Sequence, residues 1–114
     1  MHELSLCQSI LNIIQDYARE HDFTKVQTLR FSFGKLSCVE ENALDFSFQA
    51  VAKGTIAEGA ELKFQIHPIQ IYCFSCENSF QMEEYTGECP QCGSSKVNLQ
   101  GGTEELKLLE MEVD

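Results

Sequence analysis

The chain has 114 residues and a hydrophobic content of 43%, the size and apolar share of one domain with one main buried core. Its 18 acidic and 8 basic side chains leave a formal charge of -10, which repels phosphate backbones and anionic membranes and excludes nucleic acid as an expected partner. The longest apolar runs, such as Ile69-Gln70-Ile71-Tyr72-Cys73-Phe74, fall far short of the roughly 20 residues that span a bilayer, so no membrane insertion is expected.

The first residues are Met1, His2 and Glu3 rather than a basic stretch followed by an apolar run. They do not read as a secretory signal, and a cytoplasmic protein is expected. From Leu4 to about Arg19 apolar residues recur at Leu6, Ile10, Ile13 and Tyr17, flanked by Cys7, Leu11, Ile14 and Ala18 at the same spacing. This predicts an amphipathic helix with a wide buried stripe. Val26 to Phe33 then sets Leu29, Phe31 and Phe33 on one face of a strand. Gly34-Lys35 makes a turn. Ser37-Cys38-Val39-Glu40 has the form of a capping box, in which a serine hydroxyl and a glutamate satisfy each other's backbone donors, so a second helix should follow. Its apolar positions Ala43, Leu44, Phe46, Phe48, Ala50 and Val51 are crowded enough to predict burial on more than one side, until Gly54-Thr55 stops it. Leu62, Phe64 and Ile66 alternate with polar residues as a half-buried strand that His67-Pro68 ends. A cysteine-bearing segment follows. Past Gly101-Gly102, Leu109, Met111 and Val113 alternate with Glu110 and Glu112 in a last strand. The expected organisation is one α+β core over residues 1–68, an insertion over 69–100, and a C-terminal strand over 101–114 that returns to the core.

About 30 residues cannot bury enough surface to hold themselves folded, so the insertion needs a cross-link or a metal. Cys73-Phe74-Ser75-Cys76 and Cys89-Pro90-Gln91-Cys92 are two CxxC pairs, a spacing that brings four thiolates around one tetrahedral ion. Pro90 and Gly93 suit the sharp turns of such knuckles, and all-sulfur coordination favours structural Zn(2+). Two disulfides are the competing reading, disfavoured in a reducing compartment. Thiol redox catalysis is a second, but there a single CxxC follows a strand and opens a helix. Between Cys73 and Cys92 the charged residues are Glu77, Glu83, Glu84 and Glu88, without lysine or arginine. Phosphate binding by the insertion is therefore disfavoured. Phe74, Phe80, Met82 and Tyr85 could instead form a docking face for a protein, or simply pack the module on its host.

Met1-His2-Glu3 offers a second kind of site. A bulky second residue retains the initiator methionine, so the free amine belongs to Met1. That amine, the His2 amide and the His2 imidazole can chelate one ion in adjacent rings, and the Glu3 amide can supply a fourth nitrogen. A planar nitrogen set selects Ni(II) or Cu(II) over zinc. Equally, His2 could be a solvated terminal side chain, and Glu3 a helix-starting anion that the dipole welcomes. Glu40 has the same two readings, cap or ligand. Cys7 and Cys38 are expected to fill core positions, and His21 and His67 to sit at the surface or in turns.

Met1-His2-Glu3-Leu4-Ser5, Gly34-Lys35-Leu36-Ser37, Gly54-Thr55 with Ala57-Glu58-Gly59-Ala60, and the paired CxxC motifs occur in an order and chain length that resemble the HypA/HybF family of hydrogenase maturation factors from end to end. The resemblance implies an α+β fold in which two helices pack on a small β-sheet to form a nickel-binding domain, with a zinc ribbon inserted before the last strand. It implies a nickel metallochaperone, not an enzyme. Ni(2+) would be its transient cargo, delivered to the [NiFe]-hydrogenase large-subunit precursor in cooperation with the GTPase HypB. The family's nickel ligand falls on His2, with Glu3 beside it; Met1 and Glu40 are further candidates, Glu40 standing where some members carry an aspartate. No Gly-rich Lys-Ser/Thr nucleotide loop is present, so any energy input would come from a partner. A zinc-ribbon adaptor between proteins, without nickel, is the alternative.

Overall fold

The computed structural model describes residues 2–114, with side chains from Leu4 onward. Eight elements follow one another: α1 (His2–His21), β1 (Val26–Gly34), α2 (Glu41–Ala52), β2 (Glu61–His67), β3 (Ile69–Cys73), β4 (Asn78–Met82), β5 (Val97–Gly101) and β6 (Lys107–Val113). They build an α+β fold with two three-stranded sheets, ordered β2-β1-β6 and β4-β3-β5. The helices and the strands β1, β2 and β6 lie where periodicity predicts them. The second sheet, made of three five-residue strands in the cysteine-bearing segment, is new. Among the described residues no helix is long and apolar enough to cross a membrane.

Two compact units divide the chain. One comprises Met1–Phe31, Glu40–Phe64 and Leu108–Asp114; the other comprises Ser32–Val39 and Gln65–Lys107. In the first, α1 packs on α2, and the core holds the fully buried Ile14, Leu29, Phe31, Leu44 and Phe48. Each such side chain contributes about 1.5–3 kcal/mol through burial. Phe31 of β1 stacks on Phe64 of β2 with ring centroids 5.7 Å apart.

The helix faces are narrower than their sequence suggests. On α1 the buried seam is Cys7, Ile10, Leu11, Ile14 and Ala18, whereas Leu6, Ile13 and Tyr17 are 37%, 61% and 47% exposed. The Cys7 face is the one turned to α2, where the Cys7 thiol reaches the Leu44 carbonyl at 3.6 Å. On α2 the buried residues are Leu44, Phe48 and Ala52. Phe46 lies on the opposite side, 79% exposed, so burial on more than one side does not hold.

The start of α2 also differs from expectation. Glu40 itself is the N-cap, in extended conformation, with its carboxylate accepting the Ala43 amide at 2.7 Å. Ser37 takes no part in a capping box: its amide closes a turn onto the Gly34 carbonyl at 3.0 Å, and its buried hydroxyl has no partner. Cys38, at φ 65, turns the chain between them. It is exposed rather than filling a core position.

Beyond α1, Asp114 ties down the following loop. Its carboxylate accepts the Thr24 hydroxyl at 2.6 Å and the amides of Thr24 and Lys25 at 3.0 Å. In the second unit β3 is the central strand, antiparallel to both neighbours, with Ile71 opposite Phe80 on one side and Leu99 on the other. Ile69, Ile71 and Cys73 point to its buried face.

Candidate metal centre

Cys73 closes β3, and Cys76 follows in the turn to β4; Cys89 and Cys92 lie in the turn-rich stretch before β5. The four sulfurs lie within 4.8 Å of one another. Cys73 Sγ is 3.7 Å from Cys92 Sγ, and Cys76 Sγ is 3.8 Å from Cys89 Sγ. A regular tetrahedron with zinc–sulfur bonds of about 2.3 Å has edges of about 3.8 Å, so the set fits structural zinc. These separations far exceed a disulfide bond of about 2.05 Å, so none of the four is joined in a disulfide.

The two knuckles share one backbone design. The Cys76 amide donates to Cys73 Sγ, and the amides of Gln91 and Cys92 donate to Cys89 Sγ, each at 3.4 Å. The residue after each second cysteine, Glu77 at φ 58 and Gly93 at φ 74, adopts the left-handed conformation. Each then returns its amide to the carbonyl of the first cysteine, Glu77 to Cys73 at 2.8 Å and Gly93 to Cys89 at 2.9 Å. Gly93 is the residue expected for such a turn. Glu77 was not singled out by its residue type, although its place directly after a CxxC pair is the signal that finds it.

The electrostatics favour a cation. Hydrogen bonding to Cys92, together with burial, pushes the Cys76 thiol up to about 12. Burial pushes the Cys89 thiol up as well, but the Cys92 and Gln91 amides outweigh it and bring the group down to about 7. Crowded thiols thus hold protons that a divalent ion would displace, supplying the countercharge itself. Four sulfurs complete a tetrahedron and leave no open position, so the centre is suited to holding structure rather than to activating water. Neither CxxC pair opens a helix among the described residues, so the arrangement of a thiol oxidoreductase is lacking. Elsewhere in the same unit, Lys35 pairs with Glu83 at 2.6 Å and holds that carboxyl below its usual range.

Of the other candidate ligands, Met1 and the side chains of His2 and Glu3 lie outside the described residues; the backbone of His2 and Glu3 forms the first turn of α1. Glu40 is exposed and caps α2 through one oxygen. Cys7 is buried in the helix interface, as expected of a core cysteine. His21 is exposed and stacks on Tyr17, centroids 4.0 Å apart, while half-buried His67 accepts the Lys35 amide at its carbonyl. In the ribbon, Phe74 and Tyr85 are exposed, whereas Phe80 and Met82 are half-buried opposite Ile71 and Ile69.

Comparison with known proteins supplies independent findings. Residues 1–113 match the HypA family, described as hydrogenase/urease nickel incorporation, metallochaperone. The hydrogenase maturation factor HypA of Syntrophus aciditrophicus (strain SB) is 48% identical over 114 residues, covering 100% of both chains. The hydrogenase maturation factor HybF of Escherichia coli (strain K12) is 39% identical, again over 100% of both. The solution structure of the Ni metallochaperone HypA from Helicobacter pylori superposes with a TM-score of 0.63 at 19% identity, covering 97% of this chain and 96% of that one. A second HypA solution structure gives a TM-score of 0.69 at 22% identity, with 99% and 96% covered. Both share the fold.

Proposed function

Since the chain belongs to the HypA family of nickel-incorporation metallochaperones, we propose that it binds Ni(2+) at Met1-His2-Glu3 and delivers it to the large-subunit precursor of [NiFe]-hydrogenase. The observation that carries the nickel site is the start of α1 at His2. The first four amides of an α-helix have no acceptor within the helix. The His2 and Glu3 amides can therefore give up their protons to a metal without breaking a helical hydrogen bond. With the Met1 amine and the His2 imidazole they make the planar nitrogen set that suits Ni(II). His2 is the primary ligand, Glu3 and Met1 complete the set, and Glu40 is a further candidate through the oxygen its cap leaves over.

Cys73, Cys76, Cys89 and Cys92 hold the structural zinc, so cargo and structural metal occupy different donor sets. Nitrogen donors on the first helical turn exchange metal readily, while the recipient presents a thiolate-rich site of higher affinity. The protein performs ligand exchange in the cytoplasm and catalyses no covalent reaction. Energy input comes from the GTPase HypB. Residues 1–68 with the strand of 101–114 serve as the nickel-binding domain and 69–100 as the zinc-ribbon domain.

Calorimetric nickel titration of the zinc-loaded protein with its native, untagged N-terminus tests this against His2→Ala. One nickel per chain, lost in the variant, is expected. Equal binding by both removes His2 from the mechanism.

A further inference from the structure

We propose that the exposed apolar stripe of α1, formed by Leu6, Ile13 and Tyr17, is the docking surface for the protein that receives the metal, and that this recipient offers an apolar ridge bordered by lysine or arginine. Three observations carry the proposal. First, the three side chains stand exposed on a helix whose core is already complete with Cys7, Leu11, Ile14 and Ala18. They run about 16 Å along the helix at about 1.5 Å per residue, a row aligned on one side, with Ile13 and Tyr17 one turn apart and Leu6 two turns before Ile13.

Second, register ties this ridge to position 2. Positions 2, 6, 13 and 17 follow one another at spacings of four, seven and four residues, which at about 3.6 residues per turn remain on one side of a helix. α1 is helical from His2, so the stripe starts one turn after position 2 and leads back to it. A partner lying along the stripe is brought to the end of the helix where the cargo is held. The inference rests on the nickel site proposed above in this respect alone.

Third, charge decides between occupants. Asp16 and Glu20 stand three residues beyond Ile13 and Tyr17 and border the stripe, with Arg19 engaged in an ion pair to Asp16. A second copy of the chain would bring two formal charges of -10 together. A basic-rimmed partner gains where a second copy repels, through faster and more selective encounter. A ridge of three side chains is also small for a permanent interface and suits a transient hand-over.

The test uses full-length, zinc-loaded, nickel-free protein and the purified, nickel-free large-subunit precursor of the cognate hydrogenase, with affinity read by biolayer interferometry. Ile13→Asp is expected to weaken association at least tenfold, and Glu20→Lys several-fold with a flatter salt dependence. Phe46→Ser, which removes an even more exposed ring from α2, is expected to leave affinity within twofold. Tyr17→Ser repeats the measurement if Ile13→Asp loses its helical signal or its zinc. Unchanged affinity in the stripe variants overturns the proposal. So does a dimer-to-monomer change on sedimentation of Ile13→Asp, which would assign the stripe to a second copy. Because association is measured without nickel, a failed nickel site appears as retained nickel binding in His2→Ala, and a failed docking surface as retained association in Ile13→Asp.

Discussion

Gly34 and Gly102 approach so closely that a Cβ on Gly34 would lie 2.3 Å from both the carbonyl carbon and the carbonyl oxygen of Gly102 and 2.6 Å from the Glu104 amide nitrogen. Backbone bonds hold the approach: Gly34 donates to the Glu104 carbonyl at 2.8 Å, and Leu36 to the Gly102 carbonyl at 2.6 Å. Gly102, at φ 104, is itself in a conformation open to glycine. Gly34→Ala can be accommodated only by moving backbone, and is expected to destabilise by about 1–3 kcal/mol. Thermal melts of the zinc-loaded protein check this; an unchanged melting temperature would mean that the clasp yields freely.

The paired knuckles predict substitutions of opposite sign. Gly93→Ala places a side chain at φ 74 and should cost about 1–2 kcal/mol. Glu77→Gly relieves a non-glycine residue at φ 58 and should be neutral or stabilising, because left-handed strain and lost chain entropy oppose each other. Chelator competition reads both as zinc affinity, with Gly93→Ala weaker than wild type and Glu77→Gly equal or stronger.

Zinc removal should act on the second unit first. Chelation is expected to disorder β3, β4 and β5, whose strands are too short to stand without the centre, while the helical circular dichroism of α1 and α2 persists. Cys89→Ser, which removes a buried sulfur accepting two amides, should lose zinc more completely than Cys92→Ser at the exposed position. Hydrogen exchange resolved by residue distinguishes the two units.

Acid sensitivity has a separate component at Asp114. The Thr24 hydroxyl and then the Thr24 and Lys25 amides lower its carboxyl from 3.8. A depressed carboxyl stabilises the fold above its unfolded value, and that contribution is lost as pH falls through the folded value. Asp114→Asn should therefore melt below wild type at neutral pH, with the gap closing below 3.8. A gap constant across this range would assign the effect to something other than ionisation.

On the nickel site proposed above, affinity should likewise fall on acidification, because protons would compete with the metal for the His2 imidazole and the Met1 amine. Titrations across pH, at constant zinc content, check this; affinity independent of pH would point to donors other than nitrogen.

The zinc set was legible because a CxxC pair encodes its own geometry: four residues close a turn whose amides meet the first sulfur. The helices were legible by period, but which apolar stripe each would bury was not. Leu6, Ile13 and Tyr17 share the spacing of Cys7, Leu11, Ile14 and Ala18, and only the packing of the Cys7 face on α2, at the Leu44 carbonyl, decides between them. Glu40 was legible as a cap or a ligand, but not as the N-cap position itself, because a serine three residues earlier offered a more usual cap. The ribbon sheet was hidden because its strands are short and their outward residues, such as Gln70 and Gln81, carry no pattern that sets them apart from a loop.

Cys92 is exposed while Cys73 and Cys89 are buried, and this inequality gives the zinc centre a direction in time. Of the four sulfurs that would hold zinc, Cys92 is the most open to a competing thiol or chelator, with half-buried Cys76 the next. Zinc exchange would then begin at Cys92, and the turn closed by the Gly93 amide on the Cys89 carbonyl, one residue further on, is the latch that helps to hold that sulfur in place.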